Sequence, residues 1–129
     1  MSLRASLSLA AVGVIALSAC GGGTSTPTTT PADADLVVRA RDGVVWDAKR
    51  YTVTAADGPI VIYGVNDSSI AHNLHVQDAD GNDLGEVVDL PRKGSNGTTE
   101  VVLEPGSYRI VCTIPGHQVT MNSELVVEG

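Results

Sequence analysis

The chain reads as an all-β protein, a Greek-key β-sandwich of seven or eight strands. Three observations point there. Short runs rich in Val, Ile, Thr and Tyr recur along it, turn residues punctuate them, and no segment carries the apolar period of a helix. In chain order the candidate strands are DLVVRARD (35–42), KRYTVTA (49–55), PIVIYGVN (59–66) and NLHVQD (73–78). They continue with DLGEVVDL (83–90), TTEVVLE (98–104), GSYRIVCT (106–113) and SELVVEG (123–129). Asp57-Gly58-Pro59 ends the second, Asp80-Gly81-Asn82 separates the fourth from the fifth, Ser95-Asn96-Gly97 precedes the sixth, and Pro105-Gly106 opens the seventh. PIVIYGV is apolar on both faces, as an inner strand should be. With no Phe in the chain, Trp46, the tyrosines and the many Val, Ile and Leu residues must fill the core. On GSYRIVCT, alternation puts Tyr108, Ile110 and Cys112 on one face, with Arg109 and Val111 on the other. Tyr108, soon after Pro105-Gly106, fits either a tyrosine corner or plain core packing.

Not all of the 129 residues belong to that domain. Arg4, the apolar run Ala5 to Ala19 and then Cys20 read as a secretory signal, too short to be a comfortable membrane span. Leu17-Ser18-Ala19-Cys20 resembles the bacterial lipobox, which implies a signal peptide over 1–19 and a lipid on the Cys20 thiol. More than one acyl chain there gives stable anchoring without a spanning helix. An ordinary signal peptide that happens to contain a cysteine is the plainer alternative. The stretch 20–34, with its Gly, Ser, Thr and Pro, is a flexible tether, and 35–129 is the domain, about 95 residues and enough for one small core.

Without Arg4 there remain seven basic residues against fifteen acidic ones. That balance argues against nucleic acid and against direct adhesion to anionic lipid. With Cys20 lipidated, Cys112 is the only thiol left, so a disulfide within the monomer is excluded. A lone thiol outside the cytoplasm is open to oxidation unless it is buried or ligated.

Around Cys112 the sequence reads CTIPGHQVTM, residues 112–121. It places a thiol, the imidazole of His117 and the thioether of Met121 within ten residues, with Pro115-Gly116 to turn the chain between them. These are the soft and borderline donors that copper favours. A further nitrogen is available in SSIAHNLHVQD, from His72 or His75, which face opposite ways on an extended chain. His72 stands at a loop-to-strand junction and is the better candidate. His75 lies deeper in a strand and reads as solvent-facing or partly packed.

CTIPGHQVTM resembles the metal-binding loop of the azurins, AHN resembles the upstream histidine motif of azurins and plastocyanins, and LEPGSYRIVC resembles the cupredoxin pattern of Pro-Gly, Tyr and Cys. The resemblance spans roughly residues 36–129 and is sharp over 71–73 and 103–121. It implies a cupredoxin holding one type 1 copper. His72, Cys112 and His117 would be the trigonal ligands, Met121 the weak axial ligand, and the Ala71 carbonyl would lie on the opposite side. Asn73 and Thr113 would brace the two ligand segments, while Pro115 and Gly116 would shape the surface where His117 meets a partner. It further implies a monomer that carries single electrons between a donor and an acceptor protein, at the cell surface or in the periplasm, and not an enzyme. The chain departs from the azurins proper. It is shorter, lacks two of the cysteines of their disulfide, shows no helical insertion in DLGEVVDLPRKGSNG, and has NSELVV after Met121 without the common Gly. It is identified as a small cupredoxin with an azurin-like ligand loop.

Three other readings compete. Cys112, His117 and Met121 could be ordinary core and loop residues, or Cys112 a nucleophile with His117 or His72 as its base. Nothing in the sequence supplies a cleft or an oxyanion hole for the second, and Met121 has no role in it. A module that stores, delivers or buffers copper could use the same ligands. It would be favoured by extra Met or His residues, whereas this chain has only Met1, Met121 and three histidines.

Overall fold

The computed structural model describes residues 30–129, so the signal, Cys20 and most of the tether lie outside the described residues. Nine strands are formed: β1 (Leu36–Arg41), β2 (Val45–Trp46), β3 (Arg50–Thr54), β4 (Ile60–Asn66), β5 (His72–Gln77), β6 (Asp83–Leu90), β7 (Asn96–Val101), β8 (Gly106–Val111) and β9 (Asn122–Glu128). No helix occurs among the described residues. All eight expected segments are strands. The ninth, β2, is a two-residue pairing of Val45 and Trp46 with Arg41 and Ala40, too short to leave any alternation in the sequence.

The strands form two sheets, ordered β2-β1-β4-β7 and β3-β9-β8-β5-β6. β4 is an inner strand, and apart from the half-buried Val61 every residue in it is buried. Its parallel pairing with β1 and antiparallel pairing with β7 leave neither edge open. In β3, β5 and β9 buried residues alternate with more exposed ones, so each strand gives one face to the space between the sheets. That space holds Val38, Trp46, Ile60, Ile62, Leu74, Leu90, Ile110 and Leu125 among others. Trp46 and the aliphatic residues thus replace the absent Phe. Tyr108 is only half-buried, and its hydroxyl donates to the Glu104 carbonyl at 2.9 Å. That bond back across Pro105-Gly106 makes it a tyrosine corner.

β6 departs from regular pairing. Leu74 faces Val88 and Val76 faces Leu84, so β6 carries extra residues in a bulge. Gly85 sits in it at φ +71°, and the following Glu86 N–H donates to Thr99 Oγ1 of β7 at 3.1 Å. The bulge therefore turns β6 toward the opposite sheet. A Cβ on Gly85 would overlap Val101 and come within 2.9 Å of Thr99 Oγ1. Left-handed backbone and overlap act together, so Gly85→Ala is expected to destabilise the protein by about 2–4 kcal/mol in chemical denaturation.

β5 and β8 are antiparallel neighbours in the five-stranded sheet. The start of β5 and the end of β8 therefore meet at one end of the sandwich. His72 is the first residue of β5, and Cys112 directly follows β8.

Candidate metal centre

The loop after β8 is built by its own sequence. Pro115 and Gly116 occupy the two central positions of a turn closed by His117 N–H on the Ile114 carbonyl at 2.9 Å. Gly116 has φ +85°, which makes this a type II turn, with proline before a left-handed glycine. Thr120 and Met121 N–H groups both bond the His117 carbonyl, at 3.1 and 2.9 Å, winding the chain once more. Cys112 N–H then donates to the Met121 carbonyl at 3.0 Å, closing the loop on itself. Thr120 Oγ1 donates to the Val44 carbonyl and ties the loop to the β1–β2 turn.

Inside this frame three donors converge. Cys112 Sγ lies 3.6 Å from His117 Nδ1 and 3.9 Å from His72 Nδ1. All three ligand atoms fall within 4.8 Å of one another. Metal–sulfur and metal–nitrogen bonds of ~2.3 and ~2.0 Å, set in a plane at trigonal angles, require sulfur–nitrogen separations of about 3.7 Å. The observed distances straddle that value, so the residues present fit a metal ion between them. Both imidazoles offer Nδ1, and a thiol with two imidazoles is the set that suits copper, or zinc as a second choice.

Burial separates the ligands. Cys112 and Met121 have no exposed surface and His72 is 2 % exposed, whereas His117 is half-buried. His117 is thus the one of the four that reaches solvent. Desolvation, and then the neighbouring His117, hold the His72 imidazole below its ordinary titration range. It is therefore neutral at pH 7, as a ligand must be. The Trp46 ring lies 6.5 Å from that of His72, and the His72 and His117 rings lie 5.1 Å apart. Trp46, expected only as a core residue, thus also walls the site.

Asn73 ties the two ligand segments together. Its Oδ1 accepts from Thr113 N–H at 2.7 Å and its Nδ2 donates to Thr113 Oγ1 at 3.0 Å. His75 is half-buried, as a partly packed residue would be, and its ring is not in the three-donor cluster. It has a place nonetheless. Its Nε2 lies 3.0 Å from Thr113 Oγ1 and its Nδ1 lies 3.0 Å from Asp83 Oδ1. The Gln77 hydrogen bond above all, with lesser help from His75, holds the Asp83 carboxyl below the usual carboxylate range against desolvation. Pro115 and Gly116 are exposed beside His117, and Ala71 is exposed directly before His72.

Sequence reading missed Ser68 and Asn66, both without exposed surface. Ser68 Oγ lies 2.7 Å from His72 Nε2, on the opposite edge of the ring from Cys112. In VNDSSIAHN these residues look like the end of a strand and a polar turn, and only the tertiary fold buries them.

No family model matches the chain, and no curated protein does. Solved structures do. The chain is similar to the reduced auracyanin of the photosynthetic bacterium Roseiflexus castenholzii, with a TM-score of 0.61 and 20 % identity over 73 % of this chain and 96 % of that one. It is similar to an azurin of Methylomonas sp. strain J, with a TM-score of 0.64 and 14 % identity over 76 % of this chain and 100 % of that one. A third likeness is to auracyanin A of Chloroflexus aurantiacus, a "blue" copper protein, with a TM-score of 0.52 and 20 % identity over 71 % and 96 %. Two antiparallel-rich sheets, the ligand-bearing ends of β5 and β8, and these likenesses agree: the chain has the cupredoxin fold.

Proposed function

We propose that this protein is a type 1 copper protein that carries single electrons between redox partners outside the cytoplasm. The observation that carries this reading is the closed cradle of one thiol between two Nδ1 atoms, at 3.6 and 3.9 Å, with only His117 reaching solvent. Copper, when bound there, would supply a one-electron couple. Cys112, His72 and His117 would hold it, with the Met121 thioether and the Ala71 carbonyl as further donors. The type II turn, the Cys112–Met121 backbone bond and the Asn73–Thr113 bonds fix these side chains before any metal arrives. A cradle so held would change little between redox states, which favours fast exchange.

His117 is the natural point of entry and exit. Around it stand exposed Pro115 and Gly116, with Val119 88 % exposed, while Ile70, 43 % exposed, lies two residues before His72. Exposed apolar residues of this kind would support a transient contact that a redox partner makes and leaves. Voltammetry of the copper-loaded protein tests the reading. A reversible one-electron wave with fast exchange and full retention of copper is expected. An irreversible wave in which reduction or reoxidation releases copper would contradict it and favour copper storage or delivery.

The same reading places the domain at a bacterial membrane, on a tether from a lipidated Cys20. The support is the lipobox-like LSAC sequence and the Gly/Thr/Pro stretch after it. Cys20→Ser is expected to move the protein from the membrane fraction to the soluble fraction. Unchanged membrane association in that variant would remove the anchor from the account.

A further inference from the structure

Behind His72, on the side away from Cys112, runs a chain of buried polar groups. Asn66 closes β4, and its Nδ2 donates to the carbonyls of Ile70 at 2.7 Å and Leu90 at 3.0 Å. Both amide protons are thereby committed, so the orientation of the amide is fixed and Oδ1 can only accept. Oδ1 takes the Ser68 N–H at 2.9 Å and also lies 2.9 Å from Ser68 Oγ. The Ile70 carbonyl is 3.1 Å from the same hydroxyl. Two oxygens that close are favoured by a proton between them, and the one hydroxyl proton can serve only one of these two pairs. Whichever carbonyl oxygen takes it, none remains for His72 Nε2 at 2.7 Å. Nε2 must then be the donor. The opposite assignment would leave both oxygen pairs bare, at 2.9 and 3.1 Å, where this one leaves a single pair so.

We infer that Ser68, oriented by Asn66, is a positioning residue that fixes His72 as its Nε2–H tautomer and presents the free Nδ1 lone pair beside Cys112 Sγ. The imidazole is ready for a metal in both proton and direction, because the ring edge that bonds Ser68 is the one the metal does not use. Ser68 reaches the metal only through His72. The metal-binding arm of this inference rests on the copper reading; the tautomer does not.

Long-range proton–nitrogen correlation spectra of the metal-free protein, in mildly alkaline buffer, report the tautomer of each histidine. For His72 the expected result is protonated Nε2 and bare Nδ1 in the native protein. Ser68→Ala should give a mixture, and Ser68→Thr, which keeps the oxygen, should restore the native form. Should Ser68→Ala fail to fold, Ser68→Cys makes the same comparison with a weak sulfur acceptor. Copper affinity, measured by chelator competition, should fall roughly 10–100-fold in the variants that lose the oxygen. An Nδ1–H tautomer in the native protein would overturn the inference, as would a native tautomer that survives loss of the hydroxyl. A protein with the expected tautomer that binds no copper would contradict the proposed function instead.

Discussion

Cys112→Ser is expected to abolish both the blue colour and the reversible electron wave of the copper-loaded protein. The side chain has no exposed surface and sits between His72 Nδ1 and His117 Nδ1, and it is the only thiol among the described residues. A serine hydroxyl is a hard, neutral donor at pH 7, whereas a thiolate is soft, charged and able to share electron density with copper. Its size barely changes, so the turn at Pro115-Gly116 and the bonds from Asn73 should persist and the variant should fold. Two imidazoles remain and would still take Cu(II), without the intense charge transfer that only the thiolate provides. Affinity should fall by more than the roughly 10–100-fold that loss of an outer partner costs. Visible titration with Cu(II) and chelator competition with Cu(I) check this side by side. A variant that stays blue would remove Cys112 from the site.

Asn66→Leu is expected to cost the metal-free protein about 2 kcal/mol or more of stability. The branching and the number of side-chain heavy atoms are kept, but four hydrogen bonds disappear: two to the carbonyls of Ile70 and Leu90, and two from Ser68. Each buried group left without a partner costs about 1–3 kcal/mol, and two lose theirs, the Leu90 carbonyl and the Ser68 N–H, since the Ser68 hydroxyl and the Ile70 carbonyl keep each other at 3.1 Å. The loss should appear as a lower denaturant midpoint with little change in slope. A loss below about 1 kcal/mol would mean that water or a rearranged loop takes over these partners. The two predictions probe opposite sides of His72, one through the ring edge that faces Cys112 and one through the edge that faces Ser68.

What the sequence disclosed follows from the range of the interactions involved. Strands such as PIVIYGVN and the last, SELVVEG, are visible because burial imposes its alternation, or its continuous apolar run, on consecutive residues. β2 was not visible, since two residues have no period. The ligand loop was legible because its geometry is local: proline and a left-handed glycine make the turn, and the turn places His117 five residues after Cys112. His72 lies forty residues away from Cys112 in the chain, and its place at a loop-to-strand junction, together with the AHN motif, singles it out. Asn66, Ser68 and the Trp46 wall stayed hidden for a different reason. A polar residue near a strand end looks the same whether it faces water or a carbonyl from β6 (Leu90, in this case). His75 was set aside because it faces away from His72, and the structure then shows it holding Thr113 from outside the cluster. Cys20 and the lipobox-like sequence lie outside the described residues.

The most direct test is the visible absorption spectrum of the protein after addition of one equivalent of Cu(II). The account predicts an intense blue thiolate-to-copper band that saturates at one copper per chain. A colourless or faintly coloured protein, with copper held loosely and no band at one equivalent, would contradict it.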